Sequence, residues 1–290
     1  MKAKYFLKSC FFCGLLTGFT TTNNSVTAQT VSLEKKWETT SSLKEPESVI
    51  YDRSNNVLYV SNINNPAAGK DGNGSIARIS LTGEVRDVEW VVGGMDSPKG
   101  LGLFKGLLYV ADLTKVVVID TKTGKVVRTI EVKDAGMLND ITVDGQGIVY
   151  VSDSDKKRVY KIINNKAEVW LEKDHFIKPN GLLAHQDKFY MIDMTAGIFY
   201  EVDKNTKSLR KIAEGLVGGD GIIPLGKDFL ISNWNGEINH VSARGEVKKL
   251  LDTKAEKVNA ADIEYIPAKK LLLVPTFFAN KLVAYEVAVK

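Results

Sequence analysis

Short apolar runs broken by polar, glycine-containing stretches recur along this chain, and their recurrence has a period. Six segments share one layout, in which a polar or small residue opens a brief apolar strand and a second strand, often aromatic, follows and ends on a small or acidic residue. They are Glu47-Ser48-Val49 with Leu58 to Asn62, Lys99-Gly100-Leu101 with Leu108 to Asp112, and Asn139-Asp140-Ile141 with Val149 to Asp153. The other three are Asn180-Gly181-Leu182 with Phe189 to Asp193, Asp220-Gly221-Ile222 with Phe229 to Asn233, and Ala261-Asp262-Ile263 with Leu272 to Thr276. Their openings lie 52, 40, 41, 40 and 41 residues apart. Each unit adds two more short strands, as in Arg158 to Ile163 and Lys166 to Leu171 joined by Asn164-Asn165. Thr82-Gly83, Thr123-Gly124 and Arg244-Gly245 mark further hairpins, because glycine reaches backbone angles that other residues avoid.

Four strands in a unit of about 40 residues predict a β-propeller blade. Six units then predict an all-β, six-bladed β-propeller. No amphipathic helical stretch separates the strands, which argues against an α/β fold, and a β-sandwich would not repeat a strand quartet. The last unit runs out after its third strand, Lys281 to Val287, so Val31 to Glu38 is expected to pair with it and close the ring, since an open blade would leave a strand edge bare. Residues 29–290 are therefore read as one propeller domain.

In such a blade the first strand starts, and the second ends, at the same mouth of the central channel. Glu47, Lys99, Asn139, Asn180, Asp220 and Ala261 form an inner set there; Asn62, Asp112, Asp153, Asp193, Asn233 and Thr276 form a second. Converging polar groups in a concavity are the default place for a site. The long first interval contains residues 63–74, rich in Asn, Gly and Ala, expected over the same mouth as a lid. Glu47, Asn139, Asn180 and Asp220 offer hard oxygen ligands, which suit calcium, magnesium or manganese better than a soft metal. Asp112, Asp153 and Asp193 read instead as caps for backbone turns.

Composition trims the possibilities. The 290 residues are 44% hydrophobic, enough for a substantial core. Their formal charge of +4 owes much to Lys2, Lys4 and Lys8. A nearly neutral remainder predicts neither nucleic acid nor an anionic membrane as partner. The basic start, the apolar stretch from Ser9 to Phe19, and Val26 and Ala28 before Gln29 form a cleavable signal peptide over residues 1–28. That stretch is shorter than the roughly 20 residues of a spanning helix, so export to the periplasm or exterior is expected, with no membrane span after cleavage. Cys10 and Cys13 both lie in this leader, which removes thiol chemistry from the mature chain. A lipoprotein reading at Leu7-Lys8-Ser9-Cys10 has too little apolar sequence before the cysteine. His175, His185 and His240 have no metal-binding spacing, and no Gly-x-Ser-x-Gly elbow or phosphate loop occurs.

The repeat resembles the SMP-30/gluconolactonase family of six-bladed propellers. Lys178-Pro179-Asn180-Gly181-Leu182 followed by Phe189 to Asp193 is similar to that family's Asn-Gly-Leu strand and its Tyr-x-x-Asp ending. Asp220-Gly221 followed by Trp234-Asn235-Gly236, and Asn139-Asp140 with Val143-Asp144, resemble two further motifs, and Glu47 stands where the family has Glu-Gly-Pro. The resemblance implies that Glu47, Asn180 and Asp220 bind a divalent cation, calcium foremost, with magnesium, manganese or zinc as alternatives. It also implies that Asn139 contacts substrate or metal and that Asp220 assists proton transfer. Ser48-Val49 replaces Gly-Pro, Ile141 replaces a glycine, and Met137 stands where sugar-lactonase members carry a substrate-binding arginine. Lys99 either takes over as an anion contact for the substrate or is a rim lysine. Two functions follow: a metal-dependent hydrolase of a small-molecule lactone or related ester, which the acid and amide set favours, and a non-catalytic propeller binding a small molecule, glycan or protein, which the missing arginine favours.

Overall fold

A computed structural model describes residue 1, residues 30–65 and residues 68–290; the expected leader and its cleavage point lie outside the described residues. Among the described residues six four-stranded antiparallel sheets form a six-bladed propeller. Blade one runs outward through Pro46–Asp52, Val57–Asn62, Ser75–Ile79 and Val85–Val92. The inner strands of blades two to five are Pro98–Phe104, Leu138–Val143, Pro179–His185 and Gly219–Leu225. Among the described residues the helical content is two short 3-10 turns, and no helix is long and apolar enough to cross a membrane.

Blade six draws its strands from both ends of the described sequence. Glu264–Ile266, Leu271–Pro275 and Leu282–Val289 are joined on the outside by Val31–Glu38. Val31 faces Val289 and Glu38 faces Val283, within two residues of the expected pairing. The N-terminal strand buries Val31 against Leu230 and Val287, and its charged face carries the Lys36–Glu286 and Lys281–Glu38 pairs. Such exposed ion pairs contribute little; apolar burial and the ladder close the ring.

The core lies between blades. Each second strand is buried on both faces, which is why its sequence reads as nearly continuous apolar residues. Val149 and Val151 pack toward blade two with Val116 and Val118, while Tyr150 between them packs toward blade four with Phe189 and Met191. Outer strands have one wet face: Lys125–Glu131 exposes all but Ile130. The hairpin at Asn164-Asn165 forms as expected, with φ of 49° and 64°, the pair of left-handed residues that a two-residue turn requires.

One irregularity recurs and is central to the site. In blades one to five the inner strand gains a residue against its partner immediately after its first position: Pro46 faces Asn62, yet Val49 faces Val60. This β-bulge places Glu47 and Ser48 together opposite Ser61, and such bulges re-aim side chains. Ser48 N–H donates to Ser61 Oγ at 3.0 Å, Asp140 N–H to Ser152 Oγ at 2.9 Å, and Gly221 N–H to Ser232 Oγ at 2.8 Å. The serine hydroxyl thus accepts from a bulge amide that has left the ladder. Blade six departs from the expected layout, because Ala261 to Ile263 precede its inner strand and Asp262 bridges Ser48 of blade one instead.

Candidate functional site

Each bulge begins with the inner-set residue, at the second position of its strand, next to a first residue paired with the end of strand two. Pro46, Pro98 and Pro179 open three of these strands, where a missing N–H is tolerated. Glu47, Lys99, Asn139, Asn180 and Asp220 consequently converge at the mouth, and all five are buried. Asn180 Nδ2 donates to Asp220 Oδ1 at 2.8 Å and also approaches Met194 Sδ at 3.7 Å. Asn139 Nδ2 donates to Ser154 Oγ at 3.1 Å, and Ser154 in turn donates to the Pro179 carbonyl at 2.8 Å, tying blade three to blade four.

Two oxygens in this set lack a hydrogen-bond donor although they are buried: Glu47 Oε2 and Asn180 Oδ1. Leaving a buried acceptor unmet costs about 1–3 kcal/mol. Burial raises the Glu47 carboxyl well above its usual range; Lys99 opposes this, and the Asp220 and Asp262 charges add to it. Asp220 is pushed up to about 8, first by burial and then by Asp262, against the pull of Lys99, the Asn180 bond and Lys178. Lys99 thus lies within electrostatic reach of both acids. Without more positive charge the two carboxylates cannot both ionise cheaply.

The oxygen-only chemistry of Glu47, Asn180 and Asp220, with two acceptors unmet, fits a hard divalent cation. Among the described residues no cluster of three or more His, Cys, Asp or Glu is arranged to hold a metal. The implied set has only two carboxylates and draws its remaining ligand from an amide.

The second set behaves as backbone caps. Asp153 accepts from the amides of Gly136, Met137 and Lys156, and Asp193 from those of Ile177, Lys178 and Ala196. Asp112 does the same for Asp96 and Ser97. The 63–74 loop is tied onto blade two: Gly74 N–H donates to the Met95 carbonyl and Ser97 Oγ to that of Gly69. Its residues 66–67 lie outside the described part.

Sequence reasoning missed a second ring one residue deeper: Ser48, Gly100, Asp140, Gly181, Gly221 and Asp262. Asp140 Oδ2 accepts from Leu182 N–H of the next blade at 2.6 Å, and its Oδ1 accepts from Ile141 N–H. Asp262 Oδ2 accepts from Ser48 Oγ at 2.6 Å. Glu264 Oε2 accepts from Tyr51 N–H and Oε1 from Tyr265 N–H. Inner strands of adjacent blades do not pair along their length, so these acids satisfy amides that face the channel. The signal was a glycine one blade ahead of each aspartate. A Cβ on Gly100 would stand 2.6 Å from Asp140 Oδ1, and one on Gly221 2.5 Å from Asp262 Oδ1. Beyond this ring, toward the opposite face, a cavity of about 250 Å³ has Asp140, Asp262 and Glu264 among apolar walls that include Ile50, Leu183 and Ile223.

No family model matches the chain, and no curated protein matches it by sequence. Its fold has clear structural counterparts. A chain from the crystal structure of a nidogen/laminin complex is 16% identical with a TM-score of 0.63, over 76% of this chain and 84% of that one. Virginiamycin B lyase from Staphylococcus aureus is 12% identical with a TM-score of 0.61, over 89% of this chain and 99% of the lyase. Likeness at these identities establishes the propeller architecture and leaves the chemistry to the residues of this chain.

Proposed function

We propose that the mouth binds a divalent cation, calcium foremost, through Glu47, Asn180 and Asp220, and hydrolyses a lactone or related ester there. The observation that carries this reading is the pair of buried oxygens without donors, Glu47 Oε2 and Asn180 Oδ1, beside the bonded Asn180–Asp220 pair. When bound, the cation would supply positive charge beside both acids and polarise the ester carbonyl. Asp220, as its carboxylate, takes the proton of the attacking water and returns it to the departing alkoxide oxygen as the acyl C–O bond breaks. Asn180 Nδ2 orients Asp220 through its 2.8 Å bond. Asn139 and Lys99 orient the polar groups of the substrate. Export with cleavage near Gln29 belongs to the same proposal, and intact-mass measurement of the exported protein tests it.

Calorimetric titration of calcium into the wild type and Asp220→Asn, alongside a lactone panel, tests the site. Weaker calcium binding and lost turnover in the variant are expected; equal calcium affinity in both proteins overturns the assignment. The second reading, a binding propeller, draws on the nidogen/laminin complex, in which a propeller of similar fold belongs to a protein assembly. Tight calcium binding without turnover of any lactone would select it.

A further inference from the structure

Away from the mouth, a cavity of about 460 Å³ opens between blades three and four. It lies at the far end of their inner strands, because its lining includes the turns that follow Val143 and His185. Tyr150, Trp170 and Ile148 supply its apolar wall, with the two rings 4.8 Å apart and inclined at 66°. Lys161, Lys204 and Lys207 line it as well. The volume falls in the range of organic-ligand pockets, beyond the space a lone ion needs.

Two neutral donors stand unused there. Tyr150 is 3% exposed and Trp170 9% exposed, and polar groups this buried ordinarily have a partner. Among the described residues, the Tyr150 hydroxyl and the Trp170 indole N–H make no hydrogen bond. Neither atom is sealed from solvent as Glu47 Oε2 is, and the cavity is the space that both residues line. Burial, and then the Asp144 charge, pushes the Tyr150 hydroxyl up to about 12, so it keeps its proton and can donate.

The charged groups point the same way. The Lys207 ammonium lies 4.3 Å from the centre of the Trp170 ring and donates to the Lys204 carbonyl. Among the described residues no carboxylate lies within ion-pair distance of it. Burial lowers its pKa and nearby Lys161 lowers it further, against the opposing pull of Asp203. An anion held by both ammonium groups relieves both effects. The acids nearby are engaged or exposed. Asp144 Oδ1 accepts from the Gln146 and Ile148 amides, and its Oδ2 faces Lys204 at 3.7 Å. Lys161 reaches the mostly exposed Glu168 at 2.8 Å, and Asp187 is exposed.

We propose that this cavity binds an acidic sugar, a pyranose bearing a carboxylate. Lys207 and Lys161 hold the carboxylate, and the Tyr150 hydroxyl and Trp170 indole N–H donate to ring or hydroxyl oxygens. The C–H groups of the sugar pack on the two rings. Ammonium groups alone would accept any oxyanion. The neutral donors beside them call for uncharged acceptor oxygens on the same ligand, and the aromatic wall calls for C–H groups, a combination that a uronate supplies. The site is independent of the metal and hydrolase reading at the mouth.

Titration of the full protein with glucuronate, galacturonate and mannuronate, each beside its neutral hexose, and with sulfate tests the site. Binding is read by calorimetry and by the indole N–H resonances of the four tryptophans. At least one uronate should bind about tenfold more tightly than its hexose and shift the resonance that Trp170→Phe removes. Lys207→Ala should abolish that preference, and Lys207→Arg should retain it. Tyr150→Phe removes no bond within the chain, so it should melt as the wild type does and bind the uronate about fivefold more weakly. No preference for any uronate over its hexose overturns the proposal. So does a preference that Lys207→Ala leaves intact, or binding that shifts another tryptophan and not Trp170. Sulfate bound as tightly as the uronate, with Tyr150→Phe and wild type alike, overturns it too, since the cavity would then take a bare anion.

Discussion

At the mouth Glu47 and Asn180 each keep a buried oxygen without a donor, whereas one residue deeper Asp140 and Asp262 accept bonds from their own and neighbouring blades. Both rings are buried apart from the partly exposed Asp262, and in both the acids are raised above their usual range mainly by desolvation. Burial and a raised pKa therefore do not separate a reactive acid from a structural one here. Satisfaction differs: the deeper acids accept bonds that tie blades together, while at the mouth Glu47 Oε2 and Asn180 Oδ1 have no donor.

Removing a deeper acid should produce the largest effect. Asp140→Ala strands the amides of Leu182 and Ile141 and should lower stability by about 3–4 kcal/mol in denaturant titrations. Glu47→Gln at the mouth should change it by less than about 1 kcal/mol, because the glutamine resembles the neutral acid that burial already favours. Equal losses would erase the contrast between the rings.

The pH dependence of stability sharpens the comparison from the side of the deeper acids. Burial pushes Glu264 up to about 7 from an ordinary value of 4.5. The unfolded chain then releases this proton before the folded one does. Stability from Glu264 is full below pH 4.5 and is lost as pH rises through 7, a change of about 3 kcal/mol. Stability followed between pH 4 and 8 should fall with rising pH in wild type and fall less steeply in Glu264→Gln, the other raised acids supplying the remaining slope; parallel curves would reject the assignment.

Asp220→Asn comes next. Its calcium affinity should drop roughly thirtyfold, with stability changed by less than about 1 kcal/mol. A folding defect larger than the binding defect would move Asp220 into the structural ring. Last comes Ser232→Ala, which deprives the Gly221 bulge amide of its acceptor and should cost about 1 kcal/mol by thermal unfolding. A neutral result would mean that water takes over at that bulge.

The periodic layout made the blades legible, because a second strand buried on both faces has to be apolar throughout, as Leu58 to Val60 and Phe189 to Ile192 are. Ring closure was legible too, since Val31–Glu38 reads as a strand with no partner in its own neighbourhood. The capping role of Asp153 and Asp193 followed from their place at strand ends. The inner-set residues at the mouth, second in their strands, were found because they repeat once per unit. Their neighbours Asp140 and Asp262 were passed over: they occur in only two of six units, and their partners Leu182 and Ser48 lie on other blades.

The order of polar and apolar residues by itself determined the number of blades, their strands and the mouth at which Glu47, Asn180 and Asp220 meet, because each follows from local alternation and a fixed period. Which of the buried polar atoms are satisfied was decided only by the tertiary structure. The bulge turns two consecutive residues toward the channel, and closing the ring brings the edge of one blade against the acids of the last. Whether Asp140 finds Leu182, or Glu47 Oε2 finds no donor, depends on contacts between residues far apart in sequence.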